Sequence, residues 1–277
     1  DNLVILGTTY SSDFPVSSDA FQSIKKDTIN ENTDIYVTKF SSDGKTLLGS
    51  TFIGGDRNDG LNQSSFLRYN YSDDYRGDII TDDDGNILVA TCTFSDNMPT
   101  TNAFQNIRAG GYDGYVCEIS PDLKTLNWAT YLGGSNNEYP HSLATDLQGD
   151  LLLLGSTVSN NYPIHQDSAF QFNIGGGYDI VLTKFNATGS ALLGSTYLGG
   201  SLNDGFQTNN GGRRSELLFN YADNYRGDIT TDKNGNVYIA TCAQSENITT
   251  STNAFQQNLN GKTDALVLST SPNFSKI

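Results

Sequence analysis

The sequence predicts an all-β protein, a β-propeller built from four-stranded antiparallel blades. Three observations predict this fold class. The tripeptide Ala-Phe-Gln occurs four times, at Ala20, Ala103, Ala169 and Ala254, the same order of strand and turn signals surrounds the copies, and no stretch keeps a helical period. A four-stranded repeat is too small to bury both of its faces alone, so neighbouring repeats must stack around an axis. About four blades are visible, and we expect them to be part of a larger ring.

The second repeat shows the predicted strands, named a to d, in their order along the chain. Strand a covers residues 77–81, strand b 87–91, strand c 112–119 and strand d 125–132. Each is a short apolar or alternating run that is rich in β-branched and aromatic residues and bounded by Gly, Pro, Asn or Asp. The a-to-b turn carries Gly85, which supplies the positive φ that a tight hairpin with a bulge requires.

The repeats divide the chain into four blades. Residues 1–55 form blade 1 without its strand a, 56–134 a long insertion plus blade 2, 135–200 blade 3, and 201–277 a second insertion plus an incomplete blade 4. The first and third Ala-Phe-Gln copies, at Ala20 and Ala169, are separated by 149 residues, and the second and fourth, at Ala103 and Ala254, by 151 residues. This spacing indicates that a two-blade module of about 150 residues has been duplicated. We therefore expect a fragment of a larger propeller, with a self-contained four-blade ring as the alternative.

Composition excludes several classes of partner. The chain has 277 residues, with 16 Lys and Arg against 31 Asp and Glu, and its net charge of −15 repels nucleic acid and anionic lipid surfaces. No apolar run is long enough for a membrane span, so we expect a soluble chain without direct membrane insertion. It begins at Asp1 without a leader, which we interpret as a mature or excised segment.

The three cysteines do not predict a disulfide framework, because an odd count leaves at least one thiol unpaired. Cys92 and Cys242 lie in the same local context, inside apolar runs where Cys usually acts as a small buried hydrophobe. A bridge between Cys92 and Cys117 within one sheet is the alternative.

Four recurring segments resemble a known family. These segments include Asp13-Phe-Pro15, Ala20-Phe-Gln22, Asp34-Ile-Tyr-Val-Thr-Lys-Phe40 and Ser195-Thr-Tyr-Leu-Gly-Gly200. Together they resemble the SBBP β-propeller repeats over nearly the whole chain. The resemblance implies a propeller fold, export across the bacterial envelope, and frequent membership of large multidomain surface proteins, especially in Bacteroidetes-like bacteria with type IX secretion. It implies no particular reaction, and the alternation of long and short connections departs from a uniform array of these repeats.

The two long insertions carry the predicted ligand-binding residues. In an antiparallel blade the b-to-c and d-to-a connections fall at the same end, so one face carries all the long loops. Tyr beside Asn, Asp and Arg is typical of a sugar-binding surface, with a ring for C–H groups and polar groups for hydroxyls. The alternative is that Arg76 and Arg226 pair with nearby Asp residues and fix the insertions. The candidate residues are Asn70, Tyr71, Asp73, Tyr75, Arg76, Asn220, Tyr221, Asp223, Tyr225 and Arg226.

An Asp at the start of each strand c forms a second set. These residues are Asp34, Asp113, Asp179 and Asp264. We interpret them as structural residues that accept backbone N–H groups and fix the preceding loop, with metal coordination as the alternative. The run Asp82-Asp83-Asp84 resembles a calcium cluster, but the parallel turn has Leu147 and Gln148, which favours a solvated hairpin. No cofactor or metal is predicted, and Ca²⁺ stays open without a defined ligand set.

The sequence indicates no catalytic residues, because nearly every conspicuous Asp repeats between blades as a structural residue would. We therefore expect a non-enzymatic extracellular scaffold, adhesion or ligand-binding module. Its expected partners are other domains or chains of a surface assembly, and glycans. One alternative is a polysaccharide-active glycosidase or lyase, since propellers host such enzymes. Another is a structural subunit of an extracellular assembly.

Overall fold

The computed structural model of the chain describes residues 2–27, 32–60, 77–205 and 227–277. All regular elements within these ranges are strands, which form four antiparallel sheets. The first sheet contains β1 (Leu3–Thr9), β2 (Asp34–Phe40) and β3 (Leu47–Ile53), and the second contains β4 (Gly77–Thr81), β5 (Ile87–Thr93), β6 (Asp113–Ile119) and β7 (Leu126–Leu132). The third contains β8 (Glu138–Thr145), β9 (Leu151–Thr157), β10 (Asp179–Phe185) and β11 (Leu192–Leu198), and the fourth β12 (Gly227–Thr231), β13 (Val237–Ala243) and β14 (Asp264–Thr270).

The predicted fold class is confirmed, because each sheet is a meander of neighbouring antiparallel strands, as in propeller blades. No helix in the described ranges is long and apolar enough to cross a membrane. The blade boundaries and the duplicated two-blade module stay predictions. Cys92, Cys117 and Cys242 form no disulfide, and Cys92 and Cys117 are buried within the second sheet.

Apolar side chains fill the space between neighbouring sheets. Each of three clusters joins residues of one sheet to residues of the next, so the sheets are stacked face to face in chain order. The third sheet has sheets on both sides, and every residue of β9 and β10 is buried. Representative pairs within the clusters are Val37 with Val89, Val116 with Val181, and Leu182 with Ile239.

The first strands of neighbouring sheets lie side by side. Residues of β8 contact both β4 and β12. Asp78 Oδ2 accepts the backbone N–H of Leu143 at 2.7 Å, and Ser142 Oγ donates to Asp228 Oδ1 at 2.8 Å. These bonds connect three sheets along their a strands, which is the arrangement expected near the axis of a propeller.

The a-to-b turns are tight hairpins. Gly85, Gly149 and Gly235 have φ values of 80°, 78° and 81°, so glycine supplies the left-handed conformation at each turn. Asp82 closes its turn by accepting the backbone N–H of Asn86 on Oδ1 at 2.7 Å. The first Asp of the acidic run is therefore part of the hairpin.

The c-to-d turns pack on the strand d of the preceding sheet, and the residues in contact are matched in size. Leu123, with φ of 63° and fully buried, lies against Gly49. A Cβ on Gly189 would lie 2.1 Å from the ring of Trp128, so only glycine fits there. Gly194 lies against the turn that contains the buried Phe274. At the first and third junctions strand d has the glycine and the turn has the large residue, whereas at the second junction strand d has the large residue and the turn has the glycine.

Candidate functional site

The connections that follow β1, β3, β5, β7, β9, β11 and β13 lie at one end of the sheets, which we call the loop-rich end. The predicted ligand-binding residues belong to two of these connections, and they all lie outside the described residues. These are Asn70, Tyr71, Asp73, Tyr75, Arg76, Asn220, Tyr221, Asp223, Tyr225 and Arg226. What the structure describes at this end is a layer of polar residues that recurs from sheet to sheet, and one cluster that does not recur.

The glutamine of Ala-Phe-Gln is the centre of the recurring layer. Gln105 Nε2 donates to Asp113 Oδ2 at 3.1 Å, and its Oε1 accepts the N–H of Gly133 at 3.1 Å. Its backbone N–H donates to Thr130 Oγ1 at 2.8 Å. One residue therefore joins the b-to-c loop to strand c and to the end of strand d. Gln22 and Gln171 make the same three contacts in their own sheets.

The four aspartates at the start of strand c each accept a backbone N–H from the preceding loop. The donors are Lys26 for Asp34, Ala109 and Gly110 for Asp113, Gly175 for Asp179, and Asn260 for Asp264. Burial raises the pKa of the first three of these carboxyls to about 6. Asp34 and Asp179 each have one buried oxygen, Oδ1, without a hydrogen-bond partner in the described residues.

A second buried carboxylate stands at each sheet junction, four residues after the Gly-Gly pair. Asp59 accepts the N–H of Gly55 at 2.7 Å and the hydroxyl groups of Ser95, at 3.0 Å, and Thr93. Burial is the main cause that raises its pKa to about 7. Because the hydroxyl donors belong to the next sheet, this carboxylate ties neighbouring blades together.

The other two junctions repeat this arrangement. Glu138 accepts the N–H of Gly134 at 2.9 Å and the hydroxyl of Thr157 at 2.6 Å, and burial raises its pKa to about 7. Asp204 accepts the N–H of Gly200 at 2.8 Å and the hydroxyl of Ser245 at 2.6 Å. Sequence reasoning missed these three carboxylates. The signal that could have found them is the spacing Gly-Gly-Xaa-Xaa-Xaa-Asp/Glu, which occurs at each junction.

The two carboxylates of a junction lie close together around the first glycine of the Gly-Gly pair. A Cβ on Gly133 would lie 2.4 Å from Glu138 Oε2 and 2.8 Å from Asp113 Oδ2. No side chain fits between them, and the charge of Asp113 adds to the raised pKa of Glu138. The pair is enclosed by N–H and O–H donors of its own loops, so its chemistry is the anchoring of those loops.

The described residues contain no group of three His, Cys, Asp or Glu side chains that could hold a metal ion. Hydrogen-bond donors surround the paired carboxylates of a junction. Such donors stabilise an oxygen acceptor, whether ionised or protonated, and disfavour a bound cation. Calcium binding, which the sequence leaves open, therefore gains no ligand set from this part of the chain.

Within the described residues, one exposed cluster at the loop-rich end occurs in a single copy. The guanidinium carbons of Arg57 and Arg108 lie 5.3 Å and 4.8 Å from the centre of the Phe94 ring, and both residues pair with Asp96, at 3.6 Å and 2.7 Å. Arg108 is the buried member, and it also donates to the carbonyls of Gly110 and Gly111. We call Arg57, Phe94, Asp96 and Arg108 the Arg–Phe–Arg cluster.

The cluster breaks the repeat. Its four positions correspond, in the fourth sheet, to Leu202, Gln244, Glu246 and Leu259. A row of aromatic residues continues from it towards the third sheet, with ring centres 5.0 Å apart for Phe94 and Tyr112, 6.3 Å for Tyr112 and Tyr139, and 6.2 Å for Tyr139 and Tyr178. The side chains of Arg57 and Asp96 are 46% and 59% exposed, so their polar groups are available at the surface. The arrangement is suited to bind a ligand with hydroxyl or carboxylate groups beside an apolar face.

The stacked four-stranded sheets and their recurring glutamine and carboxylate contacts define a β-propeller repeat protein. Residues 127–163 match the family model SBBP, beta-propeller repeat. The matched segment runs from strand β7 through β9, and it includes Glu138, the Gly-Gly pair and the tight a-to-b turn. The chain therefore contains a repeat of this family.

A search of the curated proteins found no match. Among solved structures, the chain is similar to the crystal structure of a xylan beta-1,4-xylosidase from Bacillus halodurans C-125, with 12% identity and a TM-score of 0.31. The similarity covers 87% of this chain and 36% of that one, so the chain spans little more than a third of its length. A similarity at this level carries no argument about function.

Proposed function

We propose that the chain is a non-enzymatic β-propeller module that binds glycans or a partner protein through its loop-rich end. The observation that carries this proposal is the Arg–Phe–Arg cluster, a partly exposed and unrepeated group of residues on a framework that otherwise repeats. Repeated residues are explained by the architecture that all blades share, whereas an exposed and unrepeated group is not required by that architecture.

The buried carboxylates support a non-enzymatic role. In the described part of the chain, the carboxyl groups with raised pKa are Asp34, Asp59, Asp113, Glu138 and Asp179. Each of them belongs to the recurring layer and accepts hydrogen bonds from its own or the neighbouring loops. A raised pKa at these positions is explained by burial and loop anchoring. It calls for no catalytic acid.

The setting that fits this role is an extracellular one. We propose that the chain serves as a scaffold or adhesion module of a bacterial surface or secreted protein, with other domains or chains of a surface assembly as its partners. The SBBP match over residues 127–163 supports this setting, because the resemblance to that family implies export. Detection of the protein in the medium or on intact cells, but not in the cytosol, is the measurement that checks it.

The binding proposal is tested with a glycan array and the 277-residue chain. We expect Arg57→Ala/Phe94→Ala to weaken binding at least tenfold, because both the exposed donor and the ring are lost. The matched control is Leu202→Ala/Gln244→Ala, which changes the corresponding positions of the other module. The predicted residues of the insertions are tested separately by Tyr71→Ala/Tyr221→Ala.

Three results would overturn parts of the proposal. If the folded Arg57→Ala/Phe94→Ala variant binds as tightly as the unchanged protein, the Arg–Phe–Arg cluster is not the binding surface. Equal loss in the Leu202→Ala/Gln244→Ala control would assign the effect to loop stability instead. Release of reducing ends from a polysaccharide, abolished by substitution of one unrepeated Asp or Glu, would show an enzyme.

A further inference from the structure

The same pair of side chains holds the backbone after each Gly-Gly pair, and we call this pair the junction frame. At the first junction, Asn97 Oδ1 accepts the N–H of Asp56 at 3.0 Å, and Ser95 Oγ accepts the N–H of Arg57 at 2.9 Å. The equivalent bonds are 2.8 Å each at the second junction, and 2.9 Å and 2.8 Å at the third. The three frames are Ser95 with Asn97, Ser159 with Asn161, and Ser245 with Asn247.

Two exposed positions of each junction frame differ from one junction to the next. One is the residue whose N–H the serine accepts, and the other lies between the serine and the asparagine. Because the backbone bonds beneath them are the same at every junction, a change of side chain alters the surface and leaves the fold in place. We call these positions the variable pairs, and they are Arg57 with Asp96, Asn136 with Asn160, and Leu202 with Glu246.

The first variable pair presents one cation to a ligand. Asp96 pairs closely with the buried Arg108, at 2.7 Å, so the charge of this carboxylate is balanced within the chain. Its contact with Arg57 is longer, at 3.6 Å, and the Arg57 side chain is 46% exposed. The Phe94 ring supports the Arg57 guanidinium, whose carbon lies 5.3 Å from the ring centre. A guanidinium that is supported in this way can form a bidentate pair with a carboxylate of the ligand.

The second variable pair presents two amide groups. Asn136 and Asn160 are both exposed. The Nδ2 group of Asn136 makes long contacts, 3.4 Å each, with Ser135 Oγ and the carbonyl of Val158. An amide side chain both donates and accepts hydrogen bonds, which suits a hydroxyl group that does the same. This junction therefore favours an uncharged ligand group that is rich in hydroxyls.

An aromatic ring continues from the first variable pair towards the second. The ring centre of the half-buried Tyr112 lies 5.0 Å from that of Phe94 and 6.3 Å from that of Tyr139. An aromatic face of this kind packs against the C–H groups of a sugar ring. The cation, the ring and the amides together suit a glycan better than a peptide, because a peptide has few hydroxyl groups for the amides.

The charge of the chain limits how acidic this glycan is. The net charge of −15 repels a polymer with a carboxylate or sulfate on every sugar. Arg57 is the exposed cation of the Arg–Phe–Arg cluster, and it can neutralise one carboxylate. The arrangement therefore favours a glycan in which an acidic sugar lies next to a neutral one.

We propose that the first junction binds the carboxylate of a uronic or sialic acid residue through Arg57, and that the second junction binds the neighbouring neutral sugar through Asn136 and Asn160. The variable pairs are then the residues that determine specificity. This inference rests on the proposed function and specifies its ligand as a glycan with isolated carboxylate groups.

The ligand side of the test uses the 277-residue chain and two matched pairs of glycans. One pair is 3′-sialyllactose and lactose, and the other is a hyaluronan tetrasaccharide and the same tetrasaccharide with its carboxyl groups reduced to alcohols. Titration calorimetry measures each affinity. We expect one acidic glycan at least to bind ten times more tightly than its neutral counterpart, and the tighter of the two identifies the acidic sugar.

The protein side uses substitutions that leave the junction frame intact. Arg57→Gln keeps the backbone N–H that Ser95 accepts, and it should weaken binding of the acidic glycan at least tenfold without changing the affinity for its neutral counterpart. Asn136→Ala should weaken both glycans by the same factor. The control is Lys26→Gln, which removes another exposed cation of the loop-rich end and should change neither affinity.

The outcomes separate this inference from the proposed function. An unchanged preference for the acidic glycan in Arg57→Gln, or an equal loss in Lys26→Gln, would show that Arg57 does not select the carboxylate. Neutral glycans that bind as tightly as acidic ones, and lose affinity in Arg57→Ala/Phe94→Ala, would overturn the inference and leave the proposed binding surface in place. Preference for a glutamate-rich peptide over both acidic glycans would assign the surface to a protein partner and also overturn it. If the folded chain binds none of these probes, the inference is wrong.

Discussion

The substitution Glu138→Gln tests whether burial raises the pKa of this junction carboxyl. Glu138 is 2% exposed and accepts the N–H of Gly134 and the hydroxyl of Thr157. Glutamine keeps the shape and the acceptor oxygen of the side chain but cannot ionise. The variant therefore removes the titration and leaves most of the packing in place.

The magnitude follows from the pKa. Burial, with a contribution from Asp113, raises the pKa of Glu138 from 4.5 to about 7. Because the folded pKa lies above the unfolded one, the folded state binds more protons between these two values, and stability falls as pH rises through this window. At about 1.4 kcal/mol per pKa unit, ionisation of Glu138 above pH 7 costs about 3 kcal/mol. Below pH 4.5 the cost is absent.

The assay is urea unfolding at a series of pH values from about 4.5 to about 8. We expect Glu138→Gln to match the unchanged protein at about pH 4.5 and to exceed its free energy of unfolding by about 3 kcal/mol at about pH 8. The exposed Glu246→Gln is the control, and it should follow the unchanged protein at every pH. The reasoning is refuted if the free energy of unfolding of the unchanged protein rises between about pH 5 and about pH 8, or if the variant runs parallel to it.

Two further predictions concern packing. Trp128→Ala should lower the free energy of unfolding by about 3 to 5 kcal/mol, and Gly189→Ala should lower it as well. The double variant should lose less than the sum of the two single losses, because removal of the ring makes room for the new methyl group. Additive losses in urea unfolding would contradict the contact between the two residues. Tyr197→Phe leaves two buried backbone groups without their hydrogen-bond partner and should lower the free energy of unfolding by about 1 to 3 kcal/mol. The control is Tyr238→Phe, on the exposed face of the fourth sheet, which should lower it by less than about 1 kcal/mol in the same measurement.

The propeller fold could be predicted from the sequence because each blade repeats the same local signals. Gly85 indicated a hairpin by its position between two apolar runs, and its φ of 80° agrees with the left-handed conformation. A turn of this kind is decided by a few neighbouring residues. The order of strands followed from such turns and from the Ala-Phe-Gln copies, without any long-range information.

The contacts between sheets could not be predicted in the same way. Asp59 and Glu138 differ in type and stand at the junctions, and only the three-dimensional structure shows that hydroxyl groups surround both of them. Leu123 adopts a φ of 63° at a position where another turn has Gly189, because its burial against the preceding sheet offsets the backbone strain. Arg57 and Phe94 are 37 positions apart in sequence, and no periodic signal joins them.

The alternation of small and large residues at the junctions has an evolutionary consequence. Trp128 faces a turn with Gly189, whereas Gly49 and Gly194 face turns with Leu123 and Phe274. Gain or loss of one blade would bring a tryptophan strand against a bulky turn, or leave a void between two glycines, and both outcomes destabilise a close-packed interface. Gain or loss of two blades keeps every junction matched. We therefore expect such an array to tolerate the gain or loss of two blades better than the gain or loss of one.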